Sequence, residues 1–214
     1  MHINWNGFGS FTITSKPADG EVTLVTDPFD NSTGLRFPRT QKASMVIVSH
    51  EGEYAGNTAA LLPEGEKSVF VVDHPGEYEV KGMAVQSILA KRKDSTRHNI
   101  FKIIIEDIKI GFLGALDREL TEKEVEALGD IDVLILPIGG KSVMDSKIAS
   151  SIVGQIEPRL VIPSYGYADG SKVAFAGVEA FCKDIGFQIQ EAGRAKITKS
   201  SLPDEDTQII ILSR

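Results

Sequence analysis

Short runs in which apolar and polar residues alternate dominate the amino-terminal part of this 214-residue chain. Residues 3–5, 11–13 and 22–25 follow this period of two, which is typical of strands with one buried face, and the turn-forming residues 17–20 separate the last two runs. Residues 69–72 are apolar throughout, which indicates a buried strand. The pattern predicts an antiparallel meander followed by further strands, among them a hairpin of residues 100–105 and 108–113 around Glu106 and Asp107.

The best-specified local structure lies in the second half of the chain. Thr121 and Glu124 have the spacing of a capping box, in which each side chain satisfies the other residue's backbone N–H at the start of a helix. Leu120 and Val125 are placed to pack on each other across this cap, and Gly129 is placed to end the helix. The sequence therefore predicts a short helix between these residues.

Two further helices are predicted after this one. Asp145 is a suitable cap for the first, which has to stop before Pro158. Residues 172–185 have the apolar spacing of the second, and Gly186 ends it. Near-continuous apolar runs between the helices predict strands that are covered on both faces, at residues 131–138 and 160–162.

Half-exposed strands, fully covered strands and a few amphipathic helices together fit two stacked sheets. We therefore predict an α/β (α+β) fold, built as a four-layer αββα sandwich of two mixed β-sheets with helices on the outer faces. No change in composition indicates a linker, so we expect a single domain over residues 1–214.

Charge and cysteine content restrict the partners and the compartment. A formal net charge of −7 argues against binding to nucleic acid or to an anionic membrane, since both require a basic field. Cys182 is the only cysteine, so an internal disulfide is excluded and a reducing compartment is favoured. No apolar run approaches the roughly 18 residues that a membrane span needs, and we expect a cytoplasmic protein.

Residues 45–57 are the stretch in which we expect the chemistry. An apolar strand ends at Ser49 and His50 and passes into a glycine-containing loop, and a short helical pattern at residues 57–62 is stopped by Pro63. Because Ser49 and His50 are adjacent, extended backbone would point their side chains to opposite faces. We therefore expect that they do not form a nucleophile and base pair.

The chain resembles the metallo-β-lactamase fold over nearly its whole length, most closely the small branch that contains ascorbate-phosphate lactonase-like hydrolases. The matching residues are Ile3, Trp5 and Gly7 in the first strand, Asp27-Pro28-Phe29, Ser49-His50, Pro75 to Val80, Leu113-Gly114, Pro137 to Gly140 and Ile156 to Pro163. The resemblance implies the same four-layer scaffold.

At the metal-binding positions the chain departs from this family, whose motif reads H-x-H-x-D-H. His50 matches the first histidine, and the other ligand positions that the resemblance assigns are Gly52, Tyr54, Ala55, Arg92, Ala115 and Tyr165. A catalytic zinc needs about three protein ligands, and these positions supply a single imidazole. The resemblance therefore implies a degenerate metal site, and we expect no metal and no cofactor.

The roles of individual residues remain open at this stage. His50 is a residual ligand, a general base or a structural residue, and the sequence shows no obvious partner that would orient it. Asp27, Glu51 and Tyr165 complete the set of catalytic candidates. His98 lies in a polar, basic segment, so we expect it to be exposed.

Two functional hypotheses follow. The first is a pseudoenzyme: a binding, regulatory or assembly module that has kept the scaffold and lost hydrolysis. The alternative is a divergent hydrolase of the same fold, acting on a phosphate ester or lactone, with zinc only in a weak or rebuilt site. Under either hypothesis we expect an unknown small molecule or protein as the partner, no nucleic acid and no membrane, and a homo-oligomer is an open alternative.

Overall fold

The computed structural model describes residues 1–17, 20–65 and 67–214, and at position 184 it describes the backbone alone. The turn predicted at residues 17–20 includes Ala18 and Asp19, which lie outside the described residues. The strands are β1 (His2–Gly7), β2 (Ser10–Ser15), β3 (Val22–Thr26), β4 (Lys42–Ala43), β5 (Met45–Ile47), β6 (Leu62–Pro63), β7 (Phe70–Val72), β8 (Gly76–Val80), β9 (Met83–Lys91), β10 (Arg97–Ile105), β11 (Ile108–Phe112), β12 (Val133–Pro137), β13 (Leu160–Ser164), β14 (Gln188–Ala192), β15 (Ala195–Lys196) and β16 (Gln208–Leu212). The α-helices are α1 (Glu122–Leu128), α2 (Ser146–Ile156) and α3 (Val178–Ile185).

Two mixed sheets form the body of the described structure. The six-stranded sheet has the order β15-β1-β2-β3-β5-β7, and the eight-stranded sheet has the order β14-β16-β13-β12-β11-β10-β9-β8. In the first sheet β1 to β3 form the predicted antiparallel meander, and β5 and β7 then add in parallel. In the second sheet β8 to β11 are antiparallel, whereas β11, β12 and β13 run parallel to one another.

Three hydrophobic clusters follow from the alternation of side chains along these strands. Leu24, Met45 and Ile47 face the eight-stranded sheet and belong to the cluster between the two sheets. A second cluster lies between the eight-stranded sheet and the helices. Val25 and Val46 point the other way, into a third cluster on the outer face of the six-stranded sheet. The predicted fold class is confirmed, and loops with short 3-10 turns cover this last face in the described part of the chain.

Local signals in the sequence predicted several elements correctly. Thr121 and Glu124 form the capping box of α1, and the Asp145 carboxylate accepts hydrogen bonds from the first backbone N–H groups of α2. Glu106 and Asp107 turn the β10–β11 hairpin with φ values of 51° and 59°. A two-residue hairpin turn of this kind requires positive φ at both positions.

Three predicted elements differ from the structure. Helix α3 is shorter than predicted and begins after Gly177, so Phe175 precedes it and packs into the third cluster. Residues 57–62 contain only a 3-10 turn, Thr58–Ala60. The strand predicted as buried at residues 69–72 is β7, an edge strand, which explains why Phe70 and Val71 are exposed. Among the described residues, no helix is long and apolar enough to cross a bilayer.

Candidate functional site

A cavity of about 1080 Å³ opens where β5 and β7 end, beside the hairpin that joins β9 to β10. Most of its lining comes from residues 48–53, 56–58, 71–74 and 92–99, and Asp30 also lines it. His50, Arg92 and Asn99 are all at its wall. The structure therefore brings together two residues that the sequence singled out, His50 and Arg92, and one that it did not, Asn99.

Asp27, Ser49 and His50 form a hydrogen-bonded chain at this end of the sheet. The carboxylate of Asp27 is fully buried at the end of β3, where it accepts from the Ser49 backbone N–H at 2.7 Å and from Ser49 Oγ at 2.6 Å. Ser49 Oγ also lies 2.9 Å from His50 Nδ1. The expectation that Ser49 and His50 point apart is wrong, because β5 ends at Ile47 and the backbone bends at these two residues.

The direction of these hydrogen bonds fixes the proton on His50. A serine hydroxyl has one hydrogen, and Ser49 donates it to Asp27 whenever that carboxyl group is ionised. Ser49 Oγ can then only accept from His50, so the proton of the neutral ring lies on Nδ1 and the lone pair on Nε2. The imidazole therefore has the orienting partner that the sequence did not reveal.

A second imidazole lies directly against His50. The ring of His98 stacks on that of His50 with centroids 5.8 Å apart, and His98 is completely buried. Its Nε2 donates to the carbonyl oxygen of Leu113 at 2.8 Å, which leaves Nδ1 as an acceptor. The expectation that His98 is exposed is wrong, because β10 begins at Arg97 and carries His98 into the sheet.

Burial controls the protonation of all three groups. Desolvation, reinforced by the positive charges of His98 and Arg92, lowers the pKa of His50 to about 3. Desolvation also lowers the pKa of His98 to about 4, against the hydrogen bond to Leu113. For Asp27 burial acts in the opposite direction and raises the pKa to about 7, although the hydrogen bonds from Ser49 oppose it. Both imidazoles are neutral at physiological pH.

Arg92 enters the cavity wall from the β9–β10 hairpin. One guanidinium nitrogen donates to the carbonyl oxygen of Ser142, and Nε lies 3.6 Å from Oδ2 of Asp117. The side chain of Arg92 is only 20% exposed. Glu51, in contrast, is exposed in the loop, although it also lines the cavity.

Two of the assigned ligand positions, Tyr54 and Tyr165, carry aromatic rings that pack against other aromatic side chains. The ring of Phe8 packs edge-on against Tyr54 at 5.0 Å, and Tyr165 packs edge-on against Phe175 at 5.6 Å. Ala55 and Ala115 are buried in the same cluster. Side chains therefore occupy the volume around Tyr165 and Ala115, and the open space lies on the side of His50 and Arg92.

Tyr165 is almost fully buried, and its hydroxyl has no hydrogen-bond partner among the described residues. Burial, together with the nearby Asp27 carboxylate, raises the pKa of the phenol well above its usual value. A Cβ built on Gly9 would lie 3.1 Å from the Tyr165 hydroxyl oxygen and 3.2 Å from Asp27 Oδ2, so these two groups are neighbours. Tyr165 therefore packs next to the carboxyl group of Asp27.

Sequence reasoning missed Ser49 as a partner of His50, the burial of His98 and the pocket position of Asn99. Residues 100–105 are apolar except for Lys102, and a strand continued back from them through residues 97–99 places His98 and Asn99 in β10.

Some proteins with related sequences carry names that refer to metal-dependent hydrolysis. A UPF0173 metal-dependent hydrolase from Thermococcus onnurineus is 26% identical over 217 residues, covering 87% of this chain and 92% of the relative. A UPF0173 protein from Pyrococcus abyssi is 24% identical over 196 residues, covering 82% of this chain and 89% of the relative.

Solved structures give the same picture. A protein from Thermotoga maritima, described as a candidate Zn-dependent hydrolase of the metallo-beta-lactamase superfamily, superposes with a TM-score of 0.79 at 25% identity and covers 100% of this chain and 99% of that one. Igni18, a metallo hydrolase from Ignicoccus hospitalis, has a TM-score of 0.64 at 16% identity, covers 86% of this chain and 90% of that one, and shares the fold.

The expectation that this protein has no metal and no cofactor is corrected by these relatives, whose names point to a metal. Among the described residues no group of three or more His, Cys, Asp or Glu side chains is arranged to hold a metal ion. His50 and His98 are neutral donors side by side, but Arg92 adds a positive charge next to them. These residues do not fit a metal centre with about three ligands.

The assignment to a family rests on the match over the greater part of the sequence. Residues 2–165 match the family described as the Beta-lactamase superfamily domain, and this range includes β1 to β13 with all the residues of the cavity wall. The chain belongs to the beta-lactamase superfamily, with the metallo-β-lactamase fold.

Proposed function

We propose that this chain is a divergent hydrolase of the metallo-β-lactamase fold, which acts on a phosphate ester or a lactone in the cavity at His50. The chain Asp27–Ser49–His50 is the observation that carries this proposal. When Asp27 is ionised, it holds an imidazole at the cavity wall with the proton on Nδ1 and the Nε2 lone pair available. The names of the relatives support a hydrolase better than they support a module without activity.

In the proposed reaction His50 acts as a general base. Its Nε2 takes a proton from a water molecule as the water oxygen attacks the phosphorus or carbonyl carbon. The P–O bond of the ester or the acyl C–O bond of the lactone then breaks, and the proton on Nε2 passes to the leaving oxygen. Nδ1 keeps its proton and its hydrogen bond to Ser49, while the Asp27 carboxylate stabilises the imidazolium that forms. A pKa of about 3 makes a weak base, but a bound anion would offset the charge of Arg92 and raise this pKa.

The His50→Ala substitution is expected to lower hydrolysis by about a hundredfold or more, because it removes the proposed proton acceptor. The measurement is a screen of generic phosphodiester, lactone and thioester substrates, run with and without added zinc or manganese. His2→Ala is the control, since His2 lies on β1 outside the cavity wall. Hydrolysis that His50→Ala leaves unchanged would remove His50 from the proposed mechanism.

One observation favours a second candidate, a binding or regulatory module. The packed aromatic rings of Phe8, Tyr54 and Tyr165 leave no open volume next to Ala115. A protein that bound its ligand in the cavity without cleaving it would be inactive on every substrate in the screen. The same screen therefore decides between the two, and we expect a small-molecule ligand and a cytoplasmic location in either case.

A further inference from the structure

Three buried polar atoms next to the cavity have no hydrogen-bond partner among the described residues: Arg92 Nε, His98 Nδ1 and Asn99 Oδ1. Arg92 and Asn99 line the cavity, and His98 lies behind the ring of His50. An unpaired buried donor or acceptor costs roughly 1–3 kcal/mol, so native structures rarely leave several in one place. Their concentration here indicates that a ligand supplies the missing partners.

Arg92 requires an acceptor. One terminal nitrogen of its guanidinium already donates to the Ser142 carbonyl oxygen, whereas the 3.6 Å between Nε and Asp117 Oδ2 is too long for a hydrogen bond. Asp117 is instead bonded through Oδ1 to the backbone N–H of Lys93 at 3.0 Å. A guanidinium only donates hydrogen bonds, so an oxygen acceptor has to satisfy Nε, and the fixed positive charge of Arg92 favours an anionic oxygen in addition to the ion pair with Asp117.

Asn99 requires a donor. Its Nδ2 donates to the Asp73 carbonyl oxygen at 2.8 Å, and this contact fixes the orientation of the amide, because the flipped amide would place two acceptors together. Oδ1 is then the free atom, in a residue that is only 3% exposed. A ligand that fits both residues has an anionic oxygen and an O–H or N–H group.

The rim of the cavity restricts the charge of this ligand. Five exposed carboxylates line the cavity, and the exposed guanidinium of Arg97 offsets part of their charge; the carboxylates are those of Asp30, Glu51, Glu53, Asp73 and Asp94. Solvent screens these carboxylates, but they still disfavour a ligand with two negative charges more than a ligand with one. The monoanion of a phosphate monoester carries one charge and keeps a P–O–H donor.

We infer that Arg92 and Asn99 form a subsite for a phosphate monoester. The Nε–H of Arg92 donates to a phosphate oxygen, and Asn99 Oδ1 accepts from the P–O–H group of the monoanion. This inference rests on the proposed function only in taking the bound ester as a substrate. The binding itself is independent of turnover.

Methyl phosphate is the probe for this subsite. Titrating it into ¹⁵N-labelled protein is expected to shift the Arg92 Nε–H resonance saturably. Arg92→Gln and Arg92→Lys are each expected to weaken binding by about tenfold or more, because the lysine variant keeps the charge and loses the guanidinium geometry. Arg39→Gln, an exposed site away from the cavity wall, is expected to bind as the wild type does. Sulfate is expected to bind more weakly, since it has no proton to donate to Asn99.

Absence of saturable binding overturns the subsite. Unchanged affinity in Arg92→Gln overturns it as well, and wild-type affinity in Arg92→Lys shows attraction by charge alone, which contradicts the assigned geometry. Thermal unfolding of each variant confirms that the chain is folded. If methyl phosphate binds but no ester is hydrolysed, the proposed function is contradicted and the subsite is supported. If an ester is hydrolysed but methyl phosphate does not bind, the proposed function is supported and the subsite is contradicted.

Discussion

Replacing Gly114 with alanine is expected to lower the free energy of unfolding by on the order of 3 kcal/mol and to break up the site at the same time. A Cβ at this position would lie 2.3 Å from Ser49 Oγ and 2.4 Å from Ser49 Cβ, far inside van der Waals contact. Gly114 also has φ +56°, a conformation that adds strain for any residue with a side chain. The new methyl group has to displace Ser49, the residue that links Asp27 to His50.

Urea unfolding of Gly114→Ala at neutral pH measures this loss. Gly154→Ala is the matched control, because Gly154 lies inside α2 with no atom near the position of the new Cβ. Alanine there is expected to stabilise the protein by roughly 0.5–1 kcal/mol through its helix propensity. A Gly114→Ala variant as stable as the wild type would mean that Ser49 is not held where the hydrogen-bonded chain places it.

The second large effect is a pH dependence of stability that originates at Asp27. Burial raises the pKa of this carboxyl group from 3.8 to about 7, so the folded protein holds the proton more tightly than the unfolded chain. Below pH 3.8 the carboxyl group is protonated in both the folded and the unfolded state, so it does not lower the free energy of unfolding. Stability is then lost as the pH rises to about 7, and the loss amounts to roughly 4 kcal/mol.

Comparison of the wild type with Asp27→Asn isolates this contribution. The amide has no such ionisation, so the wild type is expected to lose roughly 4 kcal/mol relative to the variant between pH 4 and pH 8. The lost acceptor for Ser49 adds an offset that does not depend on pH. Denaturant unfolding at a series of pH values gives the difference directly, and two parallel curves would show that Asp27 does not have a raised pKa.

Much of the fold could be predicted because its signals are local. The capping box at Thr121 and Glu124, and the hairpin turn at Glu106 and Asp107, depend on residues within one turn of each other. Near-continuous apolar runs likewise predicted strands with two covered faces at residues 131–138 and 160–162. The position of a strand at the edge of a sheet cannot be predicted from such local patterns. The exposure of Phe70 follows from the sheet order, in which β7 is an edge strand.

The candidate site could be located from the sequence but its geometry could not. His50 and Asp27 were identified by residue type and by the resemblance, and both are in the site. The contact of Ser49 with His50 depends on a bend after β5, and the burial of His98 depends on where β10 begins. Phe175 was also misplaced by local pattern. Helical spacing predicted that it lies in α3, but it lies in the loop before this helix and packs against Tyr165.

The tautomer of His50 is the most direct test of the hydrogen-bonded chain on which the proposed mechanism depends. Long-range ¹H–¹⁵N correlation at pH 8, where Asp27 is ionised, is expected to show a proton on Nδ1, an unprotonated Nε2 and no titration of the ring down to pH 5. A proton on Nε2, or a ring that titrates near pH 6.5, would contradict the chain Asp27–Ser49–His50 and with it the role of His50 as the base.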